Sequence, residues 1–307
     1  MKGSFKLDDN RQVDCVALYD GAARVAAGAG AQLRLFSTTD KSFVRTITSP
    51  FADRPAPSHA GYVTAVAWSA THRRLAAAFH YSDLKKLWIA WLDADGTVVG
   101  TLAPAVGEGQ KPPRSMIFVG DELLFGSSQV GRKQHDLYRY RLDGSLVSVT
   151  RLPGLDFDRT LGLSSGGGSV AVAHTEGVSL FRPDGTVDQL KAPAFYQVAL
   201  DESASRVAFF NAGQGRVEVQ QRGAVGWARA CSIQPPDTRY RLDVLAMTPD
   251  GQRVLATQGT HLFIYDAAGQ LLDDRARFGL KVIRCLSVLD GHVAAGSMGR
   301  VDVQPLP

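Results

Sequence analysis

The sequence predicts an all-β protein: a seven-bladed β-propeller of four-stranded antiparallel blades, its ring closed by the N-terminal strand, with residues 1–307 forming one domain. Three observations predict it. One two-strand unit recurs seven times at the spacing of a blade. Asp-Gly turns follow several of these units, where they would add a second hairpin. The last unit lacks a fourth strand, and the leading residues Ser4 to Leu7 alternate like a strand with no blade of their own.

The repeated unit is an alternating apolar run, a short polar turn, and a second apolar run rich in alanine and glycine. It is clearest in VALYDGAARVAAG (Val16 to Gly28), VAWSATHRRLAAA (Val66 to Ala78) and LAMTPDGQRVLAT (Leu245 to Thr257). The first apolar residues of the seven copies are Val16, Val66, Met116, Leu161, Val198, Leu245 and Leu286, on average 45 residues apart. That period belongs to four-stranded propeller blades. In five copies the second run begins nine residues on, at Val25, Leu75, Val170, Val207 and Val254; the copies at Met116 and Leu286 have turns two residues shorter.

Alternation assigns faces. Two residues past each first position stand Leu18, Trp68, Phe118, Leu163, Leu200, Met247 and Val288, whereas one residue past stand Ala17, Ala67, Ile117, Gly162, Ala199, Ala246 and Ser287. Period two places the sets on opposite faces of a strand. Each blade therefore offers a bulky face to one neighbour and a mostly small face to the other, which lets sheets crowd near an axis.

The third and fourth strands lie in LWIAWLDADGTVVG (Leu87 to Gly100), LYRYRLDGSLVSV (Leu137 to Val149) and VSLFRPDGTVDQL (Val178 to Leu190), each crossing an Asp-Gly turn. LFIYDAAGQLL (Leu262 to Leu272) is a looser version. The stretch MTPDGQRVLATQGTHLFIYD (Met247 to Asp266), with its turn at Pro249 to Gly251, resembles a repeat of the WD-repeat propellers, and the likeness extends over essentially the whole chain. The resemblance implies a propeller scaffold. The chain departs from the family where Trp-Asp dipeptides would end the third strands: Phe36, Trp91, Tyr140, Phe181, Gln220, Tyr265 and Gln304 stand there instead, and Gly291-His292 falls in a hairpin.

Closure follows from counting strands. The seventh unit supplies strands near Val282 to Val288, Val293 to Ser297 and Arg300 to Gln304, so Ser4 to Leu7 would complete it and remove an exposed edge. A six-bladed ring with an irregular end is the alternative.

Composition bounds the function. With 45% hydrophobic and 21% charged residues the chain is an ordered globular protein. A net charge of +4 and the absence of any run of five or six like charges argue against a nucleic-acid arm, so nucleic acid is not the expected partner. Only the pI near 9.0 keeps that class open. Cys15, Cys231 and Cys285 have neither metal-ligand spacing nor the numbers of a disulfide framework, which points to a reducing compartment. The N-terminus has no apolar signal core and no segment reaches eighteen apolar residues, so the expectation is a cytoplasmic protein without a membrane partner.

In a propeller the loops between blades, and those between second and third strands, share one face, here the top. Long segments cluster in or before blades 2 and 3: Ser49 to Gly61, His80 to Lys86, Ala103 to Pro113 and Ser127 to Asp136. They carry the candidate partner-binding residues Arg54, His59, Tyr81, Lys85, Lys86, Lys111, Arg114, Arg132, Lys133 and His135. Loops held by a rigid scaffold are where binding residues concentrate. Two positions before the first apolar residue of each unit lies a ring of inner-strand ends at the channel mouth, including Asp14, Arg159, Tyr196, Asp243 and Arg284 besides Arg114. Arginines there would grip a carboxylate or phosphate; equally, Arg284 and Asp14 would pair across the closure.

Two functions compete. The leading one is a non-catalytic scaffold that binds another protein or peptide on its top face, with no cofactor. The alternative is a lactonase-like propeller hydrolase with a metal or anionic substrate at the mouth. Such a metal needs several converging oxygens, and the mouth offers Asp14 and Asp243 among three cations. No Gly-x-Ser-x-Gly elbow or His-Glu pair at metal spacing occurs. Ser164 to Gly168 is read as a hairpin turn because no helix follows it.

Overall fold

The computed structural model describes residues 3–7, 11–50, 62–81, 86–104, 111–128, 134–153, 162–174, 176–191, 194–211, 213–236, 242–275 and 282–307. Their strands pair into seven antiparallel sheets of four. The inner strands are Val13–Tyr19, Tyr62–Ser69, Met116–Val119, Gly162–Gly166, Ala194–Leu200, Val244–Met247 and Cys285–Leu289. Each touches the inner strands of both neighbours, so together they form a closed ring around an axial channel.

The Asp-Gly turns form as the sequence dictates. Gly96, Gly144 and Gly185 adopt φ of 82°, 87° and 83°, the left-handed conformation that glycine enters without strain. The Asp143 and Asp184 carboxylates accept the N–H groups of Ser145 and Thr186 at 2.8 and 2.9 Å, which tightens each turn.

The ring closes through Gly3–Lys6, the outermost strand of blade 7, paired antiparallel with Arg300–Pro305 and placing Phe5 opposite Val301. The Leu7 N–H donates to the Gly299 carbonyl at 2.9 Å, and the Phe5 ring reaches Phe36 of blade 1 at 5.0 Å. Seven sheets exclude the six-bladed alternative. The inner strand of blade 7 starts at Cys285, later than the expected Val282.

Buried side chains gather into seven clusters, one in each seam between neighbouring blades. Bulky inner-strand residues face the preceding blade: Val16 and Leu18 lie in the seam with blade 7, and Val198 and Leu200 in the seam with blade 4. Ala17 and Ala199 face the following blade. Period-two alternation thus becomes large against small at the seams.

Blade 4 departs from the expected register. Its pairing sets Leu163 opposite Val172 and Ser164 opposite Ala171, so Leu163, not Leu161, is equivalent to Val16. The reason is a two-residue turn, Gly167-Gly168, with φ of 53° and 74°. Ser164 then becomes the small residue of blade 4. Its Oγ accepts the N–H of Leu200 in the next blade at 2.9 Å, and Ser287 of blade 7 accepts the N–H of Leu18 at the same distance. Blades 1 and 7 also share a close approach: a Cβ on Gly28 would lie 2.5 Å from Cys15 Sγ and 2.7 Å from Val63, and one on Gly296 would lie 2.5 Å from Cys285 Sγ and 2.6 Å from Val13.

Candidate functional site at the channel mouth

The mouth begins with a bulge. In blade 1 the pairing passes from Val13–Ala29 directly to Cys15–Gly28, which leaves Asp14 with no residue opposite. Blade 2 repeats this at Thr64, between the Val63–Phe79 and Ala65–Ala78 pairs. A bulge bends its strand and re-aims the extra side chain. Asp14 is exposed to the channel, yet the surrounding walls withdraw solvent and raise its carboxyl above the usual value. The positive charges of Arg114 and then Arg284 oppose that rise without cancelling it.

Those arginines come from different places. Arg114 precedes the inner strand of blade 3 and Arg284 precedes that of blade 7. Both lie near enough to Asp14 of blade 1 for their charges to act on it. Both arginines are exposed; the Arg284 backbone N–H donates to the Gly296 carbonyl at 2.9 Å, while neither guanidinium forms a hydrogen bond or ion pair to another described residue. Of the residues expected at the mouth, Asp14, Arg114 and Arg284 interact through their charges.

Asp243 serves the scaffold instead. Its Oδ2 accepts the Gly259 N–H at 2.8 Å. Its carbonyl accepts Gln197 Nε2 at 2.8 Å, while Gln197 Oε1 takes the Leu245 N–H at 3.1 Å. Asp243 thus commits one of its carboxylate oxygens to the scaffold. Among the described residues no three or more His, Cys, Asp or Glu side chains gather at a possible metal position. Tyr196 lies in the inner strand of blade 5, and Arg159 falls outside the described residues.

The loop candidates divide similarly. Arg54, His59, Lys85, Arg132 and Lys133 lie outside the described residues. Tyr81 is 4% exposed and His135 is 2% exposed, because the strands run further than expected: Arg74–Tyr81 extends to the tyrosine, and Gln134–Arg141 begins before the histidine. Burial lowers the His135 pKa, so its ring is held neutral beneath the surface. Lys86 is exposed at the start of its strand, opposite Tyr81. Lys111 is half-buried, with its carbonyl accepting Ser127 Oγ at 2.7 Å.

Sequence reasoning passed over Arg11. Its guanidinium lies where a Cβ on Gly30 would come within 2.5 Å, and its carbonyl accepts the Gly299 N–H at 2.7 Å, on the top face between blades 7 and 1. No pattern in the letters marks it, because the contact joins residues nineteen positions apart through the fold.

A ring of seven four-stranded blades, sealed by the first strand, with charges gathered at one mouth, defines a seven-bladed β-propeller of WD-repeat-like architecture. Two solved structures share the fold. The β-propeller domain of Myceliophteria thermophila Cps50 (Swd1) is 12% identical, with a TM-score of 0.73 over 100% of both chains. The WD40 β-propeller domain of Doa1 is 14% identical, with a TM-score of 0.69 over 98% of this chain and 95% of that one. No protein-family model matches the sequence, and no curated protein matches it. At such identities the likeness carries the fold.

Proposed function

We propose that this chain is a non-catalytic scaffold that docks another protein or peptide on its top face, around the channel mouth and the loops of blades 2 and 3. One observation carries the reading. Arg114 and Arg284, just ahead of the inner strands of blades 3 and 7, present exposed guanidinium groups without close partners among the described residues. On the opposite face, Arg24 and Arg73 are engaged with Asp95 and Asp20 at 2.8 and 2.9 Å. Arginine is a common anchor of protein interfaces.

The surface would include Arg54, His59, Lys85, Lys86, Lys111, Arg132 and Lys133, with Tyr81 and His135 supporting it from below. A reducing, cytoplasmic setting accompanies this reading and is supported by three unbridged thiols, Cys15, Cys231 and Cys285. Among the described residues no helix is long and apolar enough to cross a membrane.

The test is affinity capture with the whole chain. Replacing Lys86, Arg114 and Arg284 together with Ala should weaken capture of the bound protein by more than about 2 kcal/mol and leave the melting temperature nearly unchanged. Replacing Lys41, on the hairpin face, should change neither. A partner retained equally by all three proteins would refute top-face docking.

A further inference from the structure

We infer that the seam between blades 3 and 4 is an acid-sensitive joint: protonation of His174 and His135 parts the two blades at the top face and bares apolar surface beneath. This goes beyond the docking proposed above and stands without it. His174 ends Ser169–His174, the second strand of blade 4, on the same face as Val170 and Val172, which pack in that seam. From blade 3, His135 shares a strand face with Leu137 and pairs opposite Leu152, both of the same cluster. The two histidines thus enter one apolar seam from its two sides, 6% and 2% exposed.

Hydrogen bonds fix the state of His174. The Glu176 N–H donates to its Nδ1 at 3.3 Å, so Nδ1 is the unprotonated nitrogen. Nε2–H therefore donates to Ser179 Oγ at 2.7 Å, and the Ser179 hydroxyl donates to Gln189 Oε1 at 3.1 Å. A second proton on the ring can enter only at Nδ1, against the Glu176 N–H. It breaks the bond that holds the turn between Ser169–His174 and Gly177–Phe181. His135 Nδ1 is buried with no hydrogen-bond partner among the described residues, so its cation would bury an unsatisfied N–H. Burial is the main cause that lowers both pKa values below 6.5. Glu176 offsets part of it for His174, and Asp136 for His135, which His174 depresses further. Few other charges face this seam among the described residues. Lys191 is exposed just past Val187–Leu190, and Arg139 and Arg141 lie at the far end of the strands, where Arg139 Nε donates to Glu122 at 2.8 Å. Asp136 and Arg151, paired across Gln134–Arg141 and Leu146–Pro153, stand on the opposite face. The closed seam excludes protons that the opened seam binds. Its stability is therefore full above pH 6.5 and is lost as pH falls through the lowered values.

The experiment is hydrogen exchange of the whole protein, read by mass spectrometry and corrected for the intrinsic pH dependence of exchange. From about pH 7.5 to about pH 5, protection of 134–153 and 169–190 should fall by between about fivefold and the roughly 30-fold that one fully protonated histidine permits. Blade 1, residues 13–48, has no histidine and should keep its protection. His174→Gln keeps a donor for Ser179 without the titration and should remove most of the loss; His135→Leu should remove part of it. Equal protection at both pH values, a loss shared by blade 1, or a loss undiminished in His174→Gln would each overturn the assignment. Nitrogen NMR of labelled histidines in the unaltered protein keeps the test open if a variant unfolds. His174 should be the neutral Nε2–H tautomer at about pH 7.5, and an Nδ1–H tautomer or a cation there would overturn it.

Discussion

Phe5→Ala tests whether the first strand truly seals the ring. Along Gly3–Lys6 burial alternates, with Phe5 at 4% exposure and its neighbours Ser4 and Lys6 facing solvent. The Phe5 ring sits among Leu18, Val25, Phe36, Val301 and Val303, in the one seam built from both ends of the chain. Truncating a buried Phe to Ala costs about 3–5 kcal/mol. Unfolding entropy of about 2.1 cal/mol/K per residue makes each kcal/mol worth roughly 1.5 °C at this length. The melting temperature should therefore fall by roughly 5–8 °C. Lys6→Ala is the internal control: it alters an outward side chain of the same strand and should stay within about 0.5 kcal/mol. Differential scanning calorimetry on both variants decides. If the two melt together, the strand neither buries its inward face nor seals the ring.

Two further outcomes follow from the seams and the mouth. A Cβ on Gly166 would fall 1.9 Å from the Asp201 carbonyl oxygen, a backbone atom of blade 5, while one on Gly223 would meet nothing nearer than 3.7 Å. Gly166→Ala should cost about 1–3 kcal/mol or more and Gly223→Ala almost nothing, with equal urea midpoints the refuting result. Asp14→Asn should stabilise the protein at neutral pH. Its folded pKa lies above the ordinary 3.8 because channel walls desolvate it, so the ionised form opposes folding; Arg114 and Arg284 only partly compensate, with the Cys15 and Cys285 thiols also nearby. The gain should fade as pH falls through the raised pKa and vanish below 3.8. A less stable Asn variant at pH 7 would mean that the arginine attraction outweighs the loss of solvent.

The ring was legible because each of its rules is local. Leu18 opposite Val25 and Trp68 opposite Leu75 follow from alternation and turn length, both visible in the letters. Blade 4 misled because Leu161 and Leu163 share a parity, so either satisfies the pattern; only the Gly167-Gly168 turn chooses between them. The site was harder. Nothing in the residues around Asp14 marks a bulge, since an extra residue changes pairing and not composition. Tyr81 and His135 looked like loop residues because polar and aromatic side chains at strand ends resemble those in loops; their burial depends on neighbouring strands distant in sequence. The action of both Arg114 and Arg284 on Asp14 was not legible, because it requires three blades to close around one axis.

Sealing the last blade with the first strand also sets an order of events during synthesis. Six seams join blades made one after another, so each can form as its second partner leaves the ribosome. The seventh cannot. It needs Arg300–Pro305 to find Gly3–Lys6, and the Leu18 N–H to find Ser287 across 269 positions. Contacts so distant carry the largest loop-closure penalty and form late. Until then the apolar flank of blade 1, with Val16, Leu18, Val25 and Phe36, stays open to water and to other nascent chains. The making of the seventh blade, not of any earlier one, ends that exposure.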